Sequence, residues 1–290
     1  MSIIAVTGSK GFIGKRLVHE LEKIGHSVVK IDLPEHDLSI FDPLIKDRDL
    51  DLRGVDVVYH LATMNLKNCS KSHISCIEHN IIGTANLLEW ARIRGVKRII
   101  YSSASSVYGQ PYTQKVSELN QTDPLTLYGV TKLASEKLIK VFSMQNKMSY
   151  CIFRFTNVYG PGQVNGVIPA IIKSLLEDST ITITGTGHQS RDFVFIDDVI
   201  HYLLAALEKP SYGVTLNLGS GQETSINTLV EYLSCTMCKS PRIVYQPMEI
   251  DRNAFRASLI AIKEVYGDHD AKPILEGLVE TVSSFRFPLP

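Results

Sequence analysis

Seven residues near the start of the chain restrict its fold more than any other stretch: Gly8-Ser9-Lys10-Gly11-Phe12-Ile13-Gly14. They join a short apolar run, Ile3 to Thr7, to a helical pattern through Leu17, Val18, Leu21 and Ile24 that stops at Gly25. Strand, glycine turn and helix in that order make a unit whose turn can cradle a phosphate. Gly8 allows the tight turn, Gly11 lets a pyrophosphate approach the backbone at the helix N-terminus, and Gly14 lets helix and strand pack closely. The next apolar run, Ser27 to Ile31, ends in Asp32, at the offset where a carboxylate meets the ribose of a dinucleotide. A carboxylate there accepts from both ribose hydroxyls and repels a 2′-phosphate. The expected cofactor is therefore NAD rather than NADP.

The pattern repeats downstream. A loop and short helix are expected over Asp42 to Leu50, and a third strand over Val55 to Leu61, ending in Ala62-Thr63. Met64 to Ser75 reads as polar and irregular, at the carboxyl end of a strand, where open α/β sheets bind ligands. A long helix over Glu78 to Arg94, closed by Gly95, leads to a fourth strand over Val96 to Ser102 and a loop over Ser103 to Gly109. A helix over Thr126 to Asn146 and a strand over Tyr150 to Phe155 follow. Alternation of this kind means right-handed crossovers and a parallel sheet covered by helices on both faces. The second half predicts helices over Val167 to Glu177, Asp197 to Leu207 and Ser225 to Cys235, with short strands over Ile181 to Ile183 and Leu216 to Gly219.

The start of the Thr126 helix carries the chemistry. In Tyr128-Gly129-Val130-Thr131-Lys132 a phenol and an ammonium are four residues apart, hence on one helix face. An ammonium beside a phenol favours the phenolate and lowers its pKa. A tyrosine tuned in that way can exchange a proton with an alcohol near neutral pH.

Bulk properties narrow the partners. Lysine plus arginine and aspartate plus glutamate are 30 each, so the formal net charge is zero, which argues against a general nucleic-acid binder. No apolar run approaches the roughly 20 residues of a membrane helix. The sequence opens on a strand without a signal-peptide pattern, so the cytoplasm is the expected location. The five cysteines, an odd number, do not read as a disulfide framework, and the lone Cys235-x-x-Cys238 lacks a second pair for zinc. The nine histidines form no ligand-spaced cluster, so no metal site is expected, and His60 and His79 read as structural.

The strings TGSKGFIG, HLAT, NIIGTANLLEWARIRGVKRIIYSS, SVYG, YGVTK, RFTNVYGPGQ and GHQSRDFVFIDDV occur in this order. With them the chain resembles the extended short-chain dehydrogenase/reductase superfamily, in its NAD-dependent nucleotide-sugar epimerase/dehydratase branch, of the UDP-glucose 4-epimerase type. The resemblance implies an α/β fold: a Rossmann-type doubly wound parallel sheet with a smaller, mixed α/β substrate-binding domain. The expected division is a NAD-binding domain over residues 1–157 with a returning segment at about 193–209, and a substrate domain over 158–192 and 210–290. The resemblance makes Tyr128 the acid/base and has Lys132 hold the nicotinamide ribose and depress the tyrosine pKa. It adds Phe12, Ile13, Asp37, Leu38, Leu61, Ala62 and Thr63 to the cofactor contacts, with Asp37 at the adenine end. It assigns Asn157 and Arg191 to the diphosphate of a nucleotide-sugar substrate. A further phosphate contact is sought near Asp251, where Asn253 stands at the usual arginine. It also implies a homodimer through the two long helices, with Val130, Leu138 and Phe142 as candidate apolar contacts.

One departure falls at a catalytic position. The family has a serine or threonine four residues before the tyrosine of V-Y-G; here that position is Ala104. Three readings stay open. Ser103 or Ser105 supplies the hydroxyl; the enzyme runs more slowly on Tyr128 and Lys132; or the protein binds its ligands without turnover. The positions where the family's dehydratases and decarboxylases carry acids hold Ser105 and Ser106. Elimination chemistry therefore lacks its acid. The expected reaction is epimerisation at one carbinol, C4 of the sugar, through a transient ketone. The alternatives are net oxidation or reduction of the same substrate class, or binding alone.

Overall fold

The computed structural model describes residues 2–40, 54–110, 115–209, 212–247 and 255–286. The expected segment Asp42 to Leu50 and the residues Asp251 and Asn253 lie outside them. In chain order the elements are β1 (Ile3–Thr7), α1 (Phe12–Lys23), β2 (Ser27–Ile31), β3 (Val55–His60), α2 (Leu66–Cys69) and α3 (His73–Ile77). A wide π turn, Glu78–Ile82, leads into α4 (Gly83–Arg94), then β4 (Arg98–Ala104), a 3-10 turn (Ser105–Tyr108), β5 (Lys115–Val116) and α5 (Leu127–Asn146). Next come β6 (Ser149–Phe155), β7 (Asn157–Tyr159), α6 (Val167–Leu176), β8 (Ile181–Thr184), β9 (Ser190–Phe195), α7 (Ile196–Glu208) and β10 (Val214–Leu218). The chain ends with β11 (Glu223–Ser225), α8 (Ile226–Met237), β12 (Ile243–Gln246), β13 (Arg256–Ala257), α9 (Ile260–Tyr266) and α10 (Ile274–Arg286).

Two compact units form. The first comprises Met1–Gly109, Asn120–Phe155 and Ile200–Leu216. Its sheet has the order β10-β6-β4-β3-β1-β2, and the β1–β2, β1–β3, β3–β4 and β4–β6 pairs are parallel. From β1 the chain steps to β2 on one side and to β3, β4 and β6 on the other. That reversal opens a crevice at the carboxyl ends of β1 and β3. Ala5, Val58, Ile99 and Ile152 of the sheet pack with Leu87, Leu88 and Ala91 of α4 and Ile139 of α5 in one buried cluster. Leu138 and Phe142 pack against this cluster rather than facing outward, whereas Val130 is exposed.

The second unit comprises Gln110–Leu119, Thr156–Val199 and Asn217–Pro290. It holds a three-stranded sheet, β11-β9-β7, and the pairs β8–β12 and β5–β13. Its organising residue is the buried Asp192. That carboxylate accepts hydrogen bonds from Ser220 N (2.7 Å), Gly221 N (3.0 Å), Ala257 N (3.0 Å) and the hydroxyls of Ser220 (2.8 Å) and Thr156 (3.3 Å). Burial still pushes its pKa up against these bonds.

Several boundaries differ from those expected. The 110–119 segment belongs to the second unit because β5 pairs with β13 there, and the returning segment spans Ile200–Leu216. Met64 to Ser75 is not irregular, since it contains α2 and the start of α3. β4 runs on to Ala104, and Asn157 opens a separate strand, because β7 pairs with β9. Cys69 and Cys76 are joined in a disulfide, although the five cysteines do not read as a disulfide framework. Their helices turn both side chains into one buried spot, and the odd count of cysteines hid the pair. Cys151, Cys235 and Cys238 are free.

Candidate functional site

The glycine turn has the backbone geometry its spacing predicts. Gly8 has φ +70°, and a Cβ there would lie 2.7 Å from Ala62 N. A Cβ on Gly14 would come within 2.0 Å of Gly8 O, so helix and turn touch through their backbones. Gly11 caps α1 without a side-chain hydrogen bond, which leaves the first-turn N–H groups available to an anion.

Strand ends place the rest of the wall. Leu61 N donates to Thr7 O (3.2 Å) and Ala62 N to Thr7 Oγ1 (3.2 Å), tying the exits of β1 and β3 together. Beneath them His60 is fully buried between Thr7 Oγ1 (2.8 Å from Nδ1) and Thr84 Oγ1 (2.9 Å from Nε2). Thr84 donates its own proton to Asn80 O (2.6 Å), so Nε2 carries the ring proton and Nδ1 accepts. Burial pushes His60 down to about 3, which keeps it a neutral structural group.

A cavity of about 450 Å³ opens at these ends. Gly8, Gly11, Asp32, Asp37, Leu38, Leu61, Ala62 and Thr63 line it, together with Lys10, His36, Met64, Asn65, Asn68 and His79. Phe12, Ile13, Gly14, Tyr128 and Lys132 are not part of its wall. The Asp32 carboxylate accepts from Lys10 N (2.6 Å) and Leu33 N (2.8 Å) and is thereby fixed at the exit of β2. The Asp37 pKa is lowered, chiefly by the Ser39 hydroxyl at 2.7 Å. His79 donates from Nδ1 to Ser75 O (2.8 Å).

Asn80 connects this cavity to α5. Its Oδ1 accepts from Met64 N (2.7 Å) and Thr63 Oγ1 (3.2 Å), and its Nδ2 donates to Thr131 Oγ1 (3.0 Å), one residue before Lys132. The Cys69 and Cys76 sulfurs lie 3.7 and 3.6 Å from the same Nδ2. Sequence reasoning missed Asn80, although it begins the NIIGTANLLEW string. A polar residue in the first turn of an expected helix gave no sign that it faces inward.

Thr126 caps α5 by accepting from Gly129 N (3.1 Å), which sets Tyr128 and Lys132 in the first turns. Lys132 is 1% exposed, and its Nζ has no hydrogen-bond partner. It lies 4.6 Å from the centre of the Tyr101 ring and 5.9 Å from that of Tyr128. Burial pushes Lys132 down to about 7, opposed by the charge of Glu136. Burial also pushes Tyr128 up to about 12. This is opposite to the expected depression of the phenol: in this geometry desolvation outweighs a cation that sits over the neighbouring ring.

The serines divide sharply. Ser102 Oγ donates to His60 O (3.2 Å). Ser103, a candidate for the hydroxyl missing at Ala104, is 2% exposed and donates to Glu136 Oε1 (2.6 Å). Glu136 in turn forms a bidentate pair with Arg154, at 2.9 Å from Nε and 2.7 Å from Nη2. Ser103 is therefore committed to an interior ion-pair network. Ser105 is half-buried on the 3-10 turn, and Ser106 Oγ is buried with no partner.

The candidate phosphate contacts lie in the second unit. Asn157 Nδ2 donates to Asp192 O (3.1 Å), and Arg191 Nη1 to Ser190 O (2.6 Å). Among the described residues no group of three or more His, Cys, Asp or Glu is arranged to hold a metal ion, and no helix is long and apolar enough to cross a membrane.

The residues present fit a dinucleotide. The turn leaves backbone N–H groups for a pyrophosphate, the Asp32 carboxylate lines the cavity at the exit of β2, and Lys132 Nζ is a buried donor in want of an acceptor.

Comparison with known proteins agrees. Residues 4–219 match the NAD dependent epimerase/dehydratase family. A putative UDP-glucose 4-epimerase of Methanocaldococcus jannaschii is 34% identical over 249 residues, covering 80% of this chain and 81% of that one. The UDP-glucose 4-epimerase of Thermotoga maritima, solved with UDP-glucose, superposes with a TM-score of 0.91 at 28% identity, covering 98% of both chains. MoeE5, solved with UDP-glucuronic acid and NAD, gives 0.90 at 28% identity, covering 99% of this chain and 100% of that one. The likeness runs through the glycine turn, the tyrosine–lysine helix and the second unit alike, and so the chain belongs to the NAD-dependent epimerase/dehydratase family of extended short-chain dehydrogenases/reductases.

Proposed function

We propose that the protein is a NAD-dependent nucleotide-sugar epimerase that inverts C4 of a nucleotide-diphosphate hexose. The observation that carries this reading is the Tyr128–Lys132 pair, one helical turn apart, with the lysine nitrogen buried and unpartnered. NAD, when bound, supplies the acceptor and donor of hydride. Gly8, Gly11 and the start of α1 hold its pyrophosphate, Asp32 its adenosine ribose, and Asp37 and Leu38 its adenine end. Lys132 hydrogen-bonds the other ribose and lends its charge to the phenol. Tyr128 takes the proton of the sugar hydroxyl as that carbon becomes a ketone. It returns the proton after the ketone has turned to present its other face. Asn157 and Arg191 hold the diphosphate while the sugar pivots, Arg191 through the fork of its guanidinium. The UDP-sugar epimerases among the relatives support this substrate class.

The protein works in the cytoplasm as a homodimer joined through α4 and α5. The exposed apolar side chains Ile93, Val130, Val141 and Met144 on those helices support that interface. Equilibration of a panel of UDP-hexoses, followed by NMR of the anomeric and C4 protons, tests the activity. Wild type converts at least one into its C4 epimer without consuming free NAD, and Tyr128→Phe does not. Stoichiometric formation of reduced nicotinamide would instead mark a dehydrogenase or ketoreductase. Ala104 favours a second reading, in which the ligands bind without turnover. A protein that retains NAD and converts no member of the panel would establish it.

A further inference from the structure

The family's serine or threonine is missing at Ala104, so another hydroxyl must face the reacting sugar oxygen if turnover is to be fast. Most of the hydroxyls around Tyr128 are already committed. Ser102 serves His60 O and Ser103 serves Glu136. Thr126 caps α5 at Gly129 N, and Thr131 donates to Tyr128 O (2.9 Å). Ser106 differs, because its Oγ is buried and makes no hydrogen bond. Burying a hydroxyl without a partner is costly, and such groups persist where a ligand completes them.

Backbone contacts place this serine beside the reacting tyrosine. The 3-10 turn that carries Ser106 packs on α5, and it meets the first turn of that helix at Gly129. Gly129 follows Tyr128 directly, and a Cβ there would come within 2.7 Å of Ser106 O. The glycine permits this close approach, and a side chain at 129 would push the two turns apart. Ser106 and Tyr128 are thus held on adjoining turns of the same unit.

We propose that Ser106 is a catalytic residue whose hydroxyl binds the sugar oxygen that trades its proton with Tyr128. This rests on the epimerase reading. Ser106 keeps its own proton throughout and donates a hydrogen bond to the oxygen as its O–H bond breaks toward Tyr128. The carbinol hydrogen leaves as hydride to NAD, and both return in the second half of the reaction. Ser106 thereby takes over the task left vacant by Ala104.

The test uses the full-length protein and a UDP-hexose that wild type interconverts. Ser106→Ala lowers kcat about 10²–10³-fold, the usual loss for one donor to a developing oxyanion. KM and NAD retention stay within about threefold, since the hydrogen bond strengthens only in the transition state. Ser106→Thr keeps most of the activity, and adding Ala104→Ser to Ser106→Ala restores it. A Ser106→Ala enzyme with kcat within about threefold of wild type overturns the proposal and leaves the epimerase standing. So does a loss that falls on Ser105→Ala instead, or one that tracks lost NAD and a lower Tm and resists rescue by Ala104→Ser. A wild-type protein that holds NAD but converts no nucleotide sugar overturns the epimerase reading and Ser106's role together.

Discussion

The nitrogen of Lys132 stands over the ring of Tyr101, 4.6 Å from its centre, in a pocket where it meets no hydrogen-bond acceptor. Burial lowers its pKa from 10.5 to about 7. Between those values the unfolded chain carries a proton that the folded chain lacks, so stability rises with pH from about 7 to 10.5 and the penalty is full below 7. Lys132→Met removes the penalty. The variant should be more stable than wild type at pH 6 by on the order of a few kcal/mol, lose that advantage by pH 10, and have no epimerase activity. Urea titrations at the two pH values check it; an equal gain at both would count against desolvation as its source.

The parts of this site that could be read from sequence are those fixed by local geometry. A glycine at positive φ and a carboxylate closing a strand need no distant partner to be recognised, and Gly8, Gly14 and Asp32 stand where their spacing puts them. The hidden parts depend on contacts across the fold. Ser103 and Ser106 are two residues of one serine-rich string, yet one is tied to Glu136 and the other is unpaired. Nothing local separates them. Cys69 and Cys76 come together because two short helices replace an expected loop. The pKa of Tyr128 follows from burial, which a spacing of four residues does not report.

Glu136 and Arg154 form a buried ion pair one turn below Lys132, with Arg154 also donating to Tyr108 Oη (2.9 Å). Glu136→Gln leaves the guanidinium without its counter-charge and should cost about 3–5 kcal/mol. An apolar double variant, Glu136→Leu with Arg154→Met, should recover much of that. Denaturant titration of the two variants decides the point, and a double variant no better than the single would point to Ser103 and Tyr108 as the residues left unsatisfied.

In the proposed reading the Asp32 carboxylate sets the choice of dinucleotide. Asp32→Ser removes the charge that repels a 2′-phosphate and leaves Lys10, now paired with Glu35, nearby. The ratio of NADP to NAD affinity should rise at least about tenfold, since one removed repulsion is worth about 1.4 kcal/mol or more. Calorimetric titration with each nucleotide measures it; an unchanged ratio would place the discrimination elsewhere.

Gly14→Ala drives a methyl group to 2.0 Å from Gly8 O, where backbone meets backbone and neither can yield. The expected cost is about 1–3 kcal/mol in stability, accompanied by loss of retained nucleotide. The absorbance ratio of the purified protein reports the nucleotide, and a variant that retains it would show that the turn can reshape.

The wide turn at Glu78–Ile82 acts as a phase shifter within one continuous helical rod. Its surplus residue frees Asn80 O to receive the hydroxyls of Thr84 and Ser135, and lets the two flanking halves aim in different directions. Within the turn Asn80 looks toward the cavity wall and α5; downstream, Leu87 and Leu88 look into the core. Removing one residue from the turn would rotate one half against the other by about 100°. Either the Asn80 bridge or the seat of α4 on the sheet would then be sacrificed, so cofactor geometry and core packing share a single adjusting screw.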